Sequence, residues 1–377
     1  MRTGWLQRFD HLQLLAASAL AFLGLMTLYS ASASTFRRQL GFLAAAVAIY
    51  AAASVFDYRR LRAAAPALYA LCLILLLAVS IAGRTAYGAQ RWIPVAGVHV
   101  EPSELAKLLM LVVLAAYLAD RERLTTRGLG GALLLGGPPT LLVLLQPDLG
   151  TSIVFACLLG GLLFLGGARK LHLAGLVALV LAAVPVAPHL LHGYQRKRLE
   201  IFLDPTKDPL GAGYNLIQAR IAVGSGGVFG QGWLHGAQGA LGYVPERTTD
   251  FVFAVYAEQF GLAGCLLLLG LFALLAFRLA RSAAGAPDRF GYLLCAGACV
   301  ILVTQVFQNV GMNIGLTPIA GIPLPFISNG GSALWTNAAV LGLVQSVMLR
   351  RKVVLVRERA SLERHLLTET GTVRLGI

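Results

Sequence analysis

Charged residues are scarce in this chain of 377 residues, where Asp, Glu, Lys and Arg together make up 13% of the sequence. In soluble globular domains roughly a quarter of the residues are charged. Hydrophobic residues account for 57%, and the mean hydropathy is +0.74. This composition excludes an ordinary soluble domain and predicts a polytopic membrane protein.

Residues that form disulfides or metal sites are also few. The five cysteines all fall inside long apolar runs, and the seven histidines are scattered without a metal-ligand spacing. The sequence therefore predicts neither a disulfide framework nor a built-in zinc site, and no cofactor is evident. A bound divalent cation stays open as an alternative.

Acidic residues are outnumbered by basic ones, 17 against 31, which gives a net charge of +14. Placing the N-terminus in the cytoplasm puts 20 of the 31 basic residues on the cytoplasmic side. This bias predicts that both termini are cytoplasmic and that the basic segments, including a tail at 351–377, face anionic lipid. Nucleic acid is the weaker explanation of the charge.

Long apolar runs are what the sequence has in abundance. Each is near the length that crosses a hydrocarbon core of ~30 Å, and none alternates as a barrel strand would. We therefore expect one all-α integral-membrane domain over 1–377 with about ten spans, the first too long to be a cleavable signal. The runs are 11–31, 38–56, 64–83, 103–119, 130–145, 149–167, 171–191, 251–279, 289–311 and 332–350.

The predicted external segments hold most of the glycine, proline and unusual polar residues. The longest is 192–249, between spans 7 and 8, and external loops of this length are often functional. Its stretch NLIQARIAV, with Leu216, Ile217, Ile221 and Ala222, has the spacing of a short amphipathic helix at the interface. The following GSGGVFGQG is either a phosphate-binding turn or a loop packed on the membrane face.

Two other external stretches carry polar groups. At the start of span 4, Glu104 and Lys107 have i, i+3 spacing and can pair, either to anchor the helix end or to bind substrate. Between spans 9 and 10, several prolines prevent a regular helix. That segment predicts a re-entrant loop that lines a wet cavity, with Asn309, Asn313, Ser328 and Asn329 as hydrogen-bonding groups.

The stretch PERTTDFVFAVYAEQFG sets Asp250 at the mouth of span 8 and Glu258 about two helical turns inside it. Asp250 is either a helix cap or a functional carboxylate. Carboxylates within a membrane are usually functional or paired, so Glu258 is either a structural partner in the bundle or a proton or metal group.

Five motifs follow one another over about 90–335, namely RWIPVAG with EPSELAK, QPDLGTS, DPLGAGYNLIQARIAVGSGGVFGQGW, PERTTDFVFAVYAEQFG and GLTPIAGIPLPFISNGGS. In this order they resemble the SEDS family (shape, elongation, division and sporulation), which includes RodA, FtsW and SpoVE. The glycine-rich part is more similar to the RodA form than to the division form. The chain departs from the family pattern at Thr248, Glu101 and Asn329, where His, Gln and Tyr are usual.

The resemblance implies a peptidoglycan glycosyltransferase that polymerises lipid II on the outer face of the bacterial cytoplasmic membrane during cell-wall elongation. Asp250 would be the general base for the acceptor hydroxyl. The growing strand would be carried on undecaprenyl pyrophosphate, and the partner would be a class B penicillin-binding protein. Alternatives are a lipid II flippase, a division-type member of the family and a non-catalytic scaffold.

The resemblance also assigns expected roles to other side chains. Arginine suits phosphate, so external arginines are expected to bind the pyrophosphate unless they are solvated loop charges. The expected substrate-binding residues are Arg198, Arg196, Arg220, Trp92, Glu104, Lys107 and Ser328, and the expected structural or cavity residues are Glu258, Gln305, Asn309 and Pro325.

Overall fold

The computed structural model describes residues 8–86, 89–95, 98–183, 193–208, 211–236 and 243–351. Within these ranges the chain is a bundle of long helices, which is the predicted fold class. The helices are α1 His11–Ala31, α2 Ala33–Val55, α3 Arg59–Ala82, α4 Pro102–Ala119, α5 Thr126–Leu145, α6 Leu149–Leu165, α7 Lys170–Ala183, α8 Gly193–Leu203, α9 Ala212–Ser225, α10 Val252–Ala284, α11 Arg289–Ile314 and α12 Gly331–Leu349.

Ten of these helices match the ten predicted spans, and eight are long and apolar enough to cross a membrane. The fifth span, the shortest expected, is a full 20 residues because the helix starts earlier, at a cap formed by Thr125 Oγ1 and the amide of Gly128 (3.2 Å). α6 has 17 residues and α7 has 14. Most of the second half of the predicted seventh span lies outside the described residues, as does the tail at 352–377.

The core surrounds α4, the span with the largest buried share. α4 packs against α3, α5, α6, α11 and α12, so its apolar side chains meet protein on nearly every side. A helix that is hydrophobic all round belongs at the centre of such a bundle. Polar groups at the start of α4 are therefore carried into the interior.

A small sheet, which the sequence pattern did not predict, joins α3 to α4. Its strands are β1 Arg84–Ala86, β2 Ala89–Val95 and β3 Val98–Val100, and β2 pairs antiparallel with both neighbours. The sheet leads directly into α4, where the amide of Glu101 donates to Ser332 Oγ at the start of α12 (3.4 Å). The sheet therefore lies at the end of the bundle where α4 and α12 begin.

The helix predicted in the long external segment is α9. Its buried face is formed by Leu216, Ala219 and Ala222, which pack with Phe251 and Met312 in a second hydrophobic cluster. Ile221, on the predicted apolar face, is 45% exposed. The helix docks on the bundle through Leu216 and the two alanines.

The glycine loop, residues 224–236, packs on a break in α10. At the break Gly261 has φ 63° and ψ −163°, and the amide of Leu262 donates to Gly227 O (2.9 Å). In return, the amide of Gln231 donates to Glu258 O (2.9 Å). A Cβ on Gly230 would lie 2.1 Å from Gln259 O, so only glycine allows this approach. The glycines serve backbone packing, which favours the packed-loop alternative over a phosphate-binding turn.

Candidate active site

Asp250 ends the turn that precedes α10, and its side chain is half-buried. Two asparagines on α11, Asn309 and Asn313, donate from Nδ2 to the main-chain oxygen of Asp250 at 3.0 and 3.1 Å. They are four residues apart and so lie on one face of α11. The backbone that carries the carboxylate is therefore held by two buried amides.

Asn313 also supports the first turn of α10. Its Oδ1 accepts from the amide of Ala254 (3.1 Å), while the N-cap position is taken by Phe251, which offers no side-chain cap. The side-chain acceptor for an amide in the first turn of α10 thus comes from α11. This weighs against the explanation of Asp250 as the cap of α10. The sequence pattern named Asn313 together with Asn309 as hydrogen-bonding groups, and the structure brings both to the backbone of Asp250.

The irregular loop predicted between α11 and α12, residues 315–330, is attached to the turn before Asp250. Ser328 Oγ donates to Thr249 O (2.6 Å) and accepts from the amide of Leu324 (2.8 Å), so both hydroxyl functions are used inside the protein. Asn309 Nδ2 reaches the same loop at Ile322 O (2.7 Å). Pro325 is buried there. This geometry favours a positioning role for Ser328 over direct substrate contact.

Arg198, on α8, is brought to the same loop. Its Nη1 donates to Ile319 O at 3.0 Å, and the side chain is half-buried. α8 is fixed in turn by Gln195, whose Nε2 donates to Leu144 O at the end of α5 (3.2 Å). Arg198 therefore binds the same loop that supports Asp250.

The neighbouring external cations have local partners. Arg196 pairs with Glu200 (2.9 Å) one turn away on the exposed face of α8. Lys197 binds Asp208 (3.1 Å), and this hydrogen bond holds the pKa of Asp208 below its usual range. The guanidinium of Arg220 lies against Gly315. A Cβ on that glycine would be only 2.2 Å from Nη2 of Arg220. That position is the C-terminal end of α11, where a cation is favoured.

Glu104 and Lys107 form a buried ion pair in the first turns of α4. Lys107 Nζ donates to Glu104 Oε1 at 2.7 Å, and the side chains are 2% and 1% exposed for Lys107 and Glu104. Glu104 Oε2 and both amide atoms of the buried Gln305 have no hydrogen-bond partner among the described residues. Because buried polar groups are nearly always satisfied, these atoms give the interior between α4 and α11 an unused hydrogen-bonding capacity.

Two further predicted site residues are Glu258 and Trp92. Glu258 is fully buried on α10 beneath the glycine loop, where a Cβ on Gly236 would lie 2.6 Å from its Oε2. This enclosure favours the structural role. Trp92 is half-buried on β2. Among the described residues, no group of three or more His, Cys, Asp or Glu could hold a metal ion.

An apolar groove of about 290 Å³ lies between α10 and α11. Its lining includes Leu269, Phe272, Leu302, Val306 and Val310 and contains none of the predicted site residues. Such a surface suits lipid chains or another helix and offers no groups that bind a sugar.

Comparison with known proteins places this arrangement in a family. A family profile described as "Cell cycle protein", covering FtsW, RodA and SpoVE, matches residues 10–353. The chain belongs to the SEDS family. Among its SEDS relatives, the peptidoglycan glycosyltransferase MrdB of Escherichia coli strain K12 is 43% identical over 352 residues, which is 92% of this chain and 95% of MrdB. Stage V sporulation protein E of Bacillus subtilis is 36% identical over 362 residues, 90% and 96% of the two chains.

Solved SEDS structures show the same fold. A chain described under "structural coordination of polymerization and crosslinking by a peptidoglycan synthase complex" superposes with a TM-score of 0.80 at 34% identity, over 91% of this chain and 98% of that one. The rod shape determining protein RodA of Thermus thermophilus gives a TM-score of 0.70 at 32% identity, over 91% and 97%.

Proposed function

We propose that this protein, a peptidoglycan glycosyltransferase of the SEDS family, polymerises lipid II for cell-wall elongation with Asp250 as the general base. The observation that carries the proposal is the double hydrogen bond from Asn309 and Asn313 to the backbone of Asp250. A general base needs a fixed position within hydrogen-bonding reach of the proton that it accepts.

In the reaction, the 4-hydroxyl of the acceptor GlcNAc attacks the anomeric carbon at the end of the growing strand. Asp250 takes the hydroxyl proton as the new glycosidic bond forms. The bond from the anomeric carbon to undecaprenyl pyrophosphate breaks, and the electron pair leaves with the pyrophosphate. Positioned base catalysis of this kind contributes about 10²–10⁴ in rate.

Arg198 stabilises the negative charge that develops on the leaving pyrophosphate. It is bound to the loop that also supports Asp250, through Ile319 O. A guanidinium presents several donors in a plane, so one edge can hold the loop while another faces phosphate. Arg196 and Arg220 are weaker candidates, because each already has a local structural role.

The Asp250 end of the bundle faces the outside of the cytoplasmic membrane, and both termini are cytoplasmic. Support comes from the distribution of basic residues, since Arg278, Arg289 and Arg350 all lie at the end opposite Asp250. The partner is a class B penicillin-binding protein. Support for it is the similar chain in the peptidoglycan synthase complex that couples polymerisation to crosslinking.

Polymerisation of labelled lipid II by the purified protein tests the proposal, with and without the partner. Asp250→Asn is expected to lower the rate by about 10² or more, and Asp250→Glu, which shifts the carboxylate by a methylene, should also be impaired. Asp208→Asn, in the same external segment, is the matched control and should retain activity.

Near wild-type polymerisation by Asp250→Asn would remove Asp250 as the base. The flippase alternative is favoured by the polar groups of Glu104, Lys107 and Gln305 in the bundle interior. Protein that moved labelled lipid II across vesicle membranes and never formed polymer would support that alternative.

A further inference from the structure

Two short segments at the end of the bundle opposite Asp250 are joined to each other. Residues 120–125 connect α4 to α5, and residues 166–169 connect α6 to α7. Leu124 pairs with Ala168 in a parallel bridge, and its amide donates to Gly167 O (3.5 Å). We refer to these segments as the paired loops.

Arg289 holds the paired loops through hydrogen bonds to their main-chain oxygens. Its Nη2 donates to Gly166 O (2.8 Å) and to Glu122 O (3.4 Å), and its Nε donates to Leu118 O (3.4 Å). One guanidinium therefore holds carbonyl groups of both segments. The surface that the paired loops present is preformed, so little ordering is needed before it binds a partner.

Four exposed cations lie on or directly beside the paired loops. Arg123 flanks Leu124, Arg127 follows in the first turn of α5, and Arg169 and Lys170 lead into α7. None of these four side chains forms an ion pair or hydrogen bond with any described residue. They make a compact basic surface whose charge is not neutralised within the described part of the chain.

Four other arginines at this end of the bundle have acidic partners. The pairs are Arg59 with Asp288 (3.4 Å), Arg278 with Asp10 (2.8 Å), Arg350 with Asp57 (3.4 Å), and Arg62 with Asp120. Asp120 is thereby neutralised, which leaves Glu122 as the one uncompensated acid on the two loops. Arg60 and Arg281 are also exposed and have no acidic partner among the described residues, but they lie on two different helices, α3 and α10, whereas the four cations are gathered at two joined loops.

Apolar side chains border the basic surface on its membrane side. Leu171, next to Lys170, is 81% exposed, and Phe164, just before the second loop, is 64% exposed. An acidic protein segment would match the charge and leave these side chains unused. A phosphate group that is attached to acyl chains matches both the charge and the apolar border.

We propose that the paired loops bind the phosphodiester headgroup of an anionic phospholipid in the cytoplasmic leaflet. Arg123, Arg127, Arg169 and Lys170 contact the phosphate, and the acyl chains lie against Leu171 and Phe164. This site is separate from glycan polymerisation, because it lies at the opposite end of the bundle from Asp250.

Native mass spectrometry of the full-length protein in detergent tests the site. The protein is offered phosphatidylglycerol and phosphatidylcholine with identical acyl chains, and glycerophosphoglycerol as the headgroup alone. The test variant is Arg123→Gln with Arg169→Gln. The control is Arg60→Gln with Arg281→Gln, which removes the same charge from two exposed positions at the same end of the bundle.

Wild type is expected to bind phosphatidylglycerol in preference to phosphatidylcholine. Each basic residue near an anionic surface contributes roughly fivefold, so the test variant should lose about 20-fold in affinity while the control keeps most of it. Arg123→Lys with Arg169→Lys should retain the preference, because charge is kept. Unfolding midpoints of all variants identify any loss that comes from misfolding.

Equal losses in the test and control variants would overturn the proposal, because they would show only general attraction to anionic lipid. Binding of glycerophosphoglycerol as tightly as the lipid would also overturn it, since the acyl chains would then contribute nothing. Absence of any preference for phosphatidylglycerol would point to an acidic protein segment as the partner.

Discussion

Replacing Asn313 by alanine tests the support of Asp250 most directly. The change removes the donor to Asp250 O (3.1 Å) and the acceptor for the amide of Ala254 (3.1 Å). A net hydrogen bond contributes about 1 kcal/mol, and a buried group left unsatisfied costs about 1–3 kcal/mol. We expect a loss of about 2–4 kcal/mol in unfolding free energy.

The effect of Asn313→Ala on kcat depends on the hydrogen bond that still holds Asp250. Asn309 still donates to Asp250 O (3.0 Å), so the carboxylate is loosened and not released. A displacement of about 1 Å can cost about 10²-fold, and a partial loss of support should therefore cost about tenfold in kcat. The double variant Asn309→Ala with Asn313→Ala should approach about 10².

The assay measures kcat and KM for lipid II polymerisation together with the unfolding midpoint. We expect kcat to fall with KM little changed, because Asn313 acts through Asp250. Asn313→Asp keeps an acceptor for Ala254 at the positive end of α10 and loses the donor. It should recover stability relative to Asn313→Ala without recovering kcat. A role confined to capping would restore both.

Gln345→Ala is the matched control. Gln345 is a fully buried amide at the opposite end of the bundle, where its Oε1 accepts from the amide of Asp10 (3.3 Å). If Asn313→Ala lost no more kcat than Gln345→Ala at a comparable loss of stability, the idea that Asn313 positions the base would be refuted.

Three further changes test neighbouring features. Arg198→Ala should cut polymerisation severely. Arg198→Lys should restore little, because an ammonium has no planar group that could bind the loop carbonyl and a phosphate together. Unchanged rates at equal expression would show that Arg198 is only a solvated loop charge. Glu104→Ala and Lys107→Ala should each lower the unfolding free energy by about 3–5 kcal/mol, and the exchanged pair Glu104→Lys with Lys107→Glu should regain that stability. Recovery of the unfolding midpoint without recovery of polymerisation would indicate that the pair contacts substrate. Gly230→Ala should lower the unfolding midpoint, because Gly230 has φ 83° and its Cβ would meet a carbonyl oxygen of α10. Gly224→Ala is the control, because a Cβ there meets open space. Equal unfolding midpoints for the two variants would contradict the close approach.

The sequence alone predicted the family, the enzyme class and the all-helical membrane fold, and comparison confirms these predictions. Hydropathy is a local property, so the apolar runs could be located without knowing their neighbours. The small sheet β1–β3 and the docking of α9 on the bundle were not predicted, since both depend on which tertiary surface covers the segment.

The site was predicted in part for a similar reason. Asp250 and Arg198 could be selected by motif, and the structure connects both to the loop at 315–330. The i, i+4 spacing of Arg196 and Glu200 was a readable signal for their ion pair, whereas Gly315 becomes the neighbour of Arg220 only through tertiary packing. The roles of all these residues in substrate binding stay predictions.

The way in which Asp250 is held makes its replacement by asparagine an unusually clean test. Asn309 and Asn313 bind the main-chain oxygen of Asp250, and Ser328 binds the main-chain oxygen of Thr249. Main-chain partners do not change when a side chain is replaced, so Asp250→Asn leaves all three hydrogen bonds in place. The substitution also keeps the size of the side chain and removes its charge. A loss of polymerisation in this variant, with an unchanged unfolding midpoint, would therefore report the loss of the carboxylate as a proton acceptor and not a disturbance of the loop that carries it.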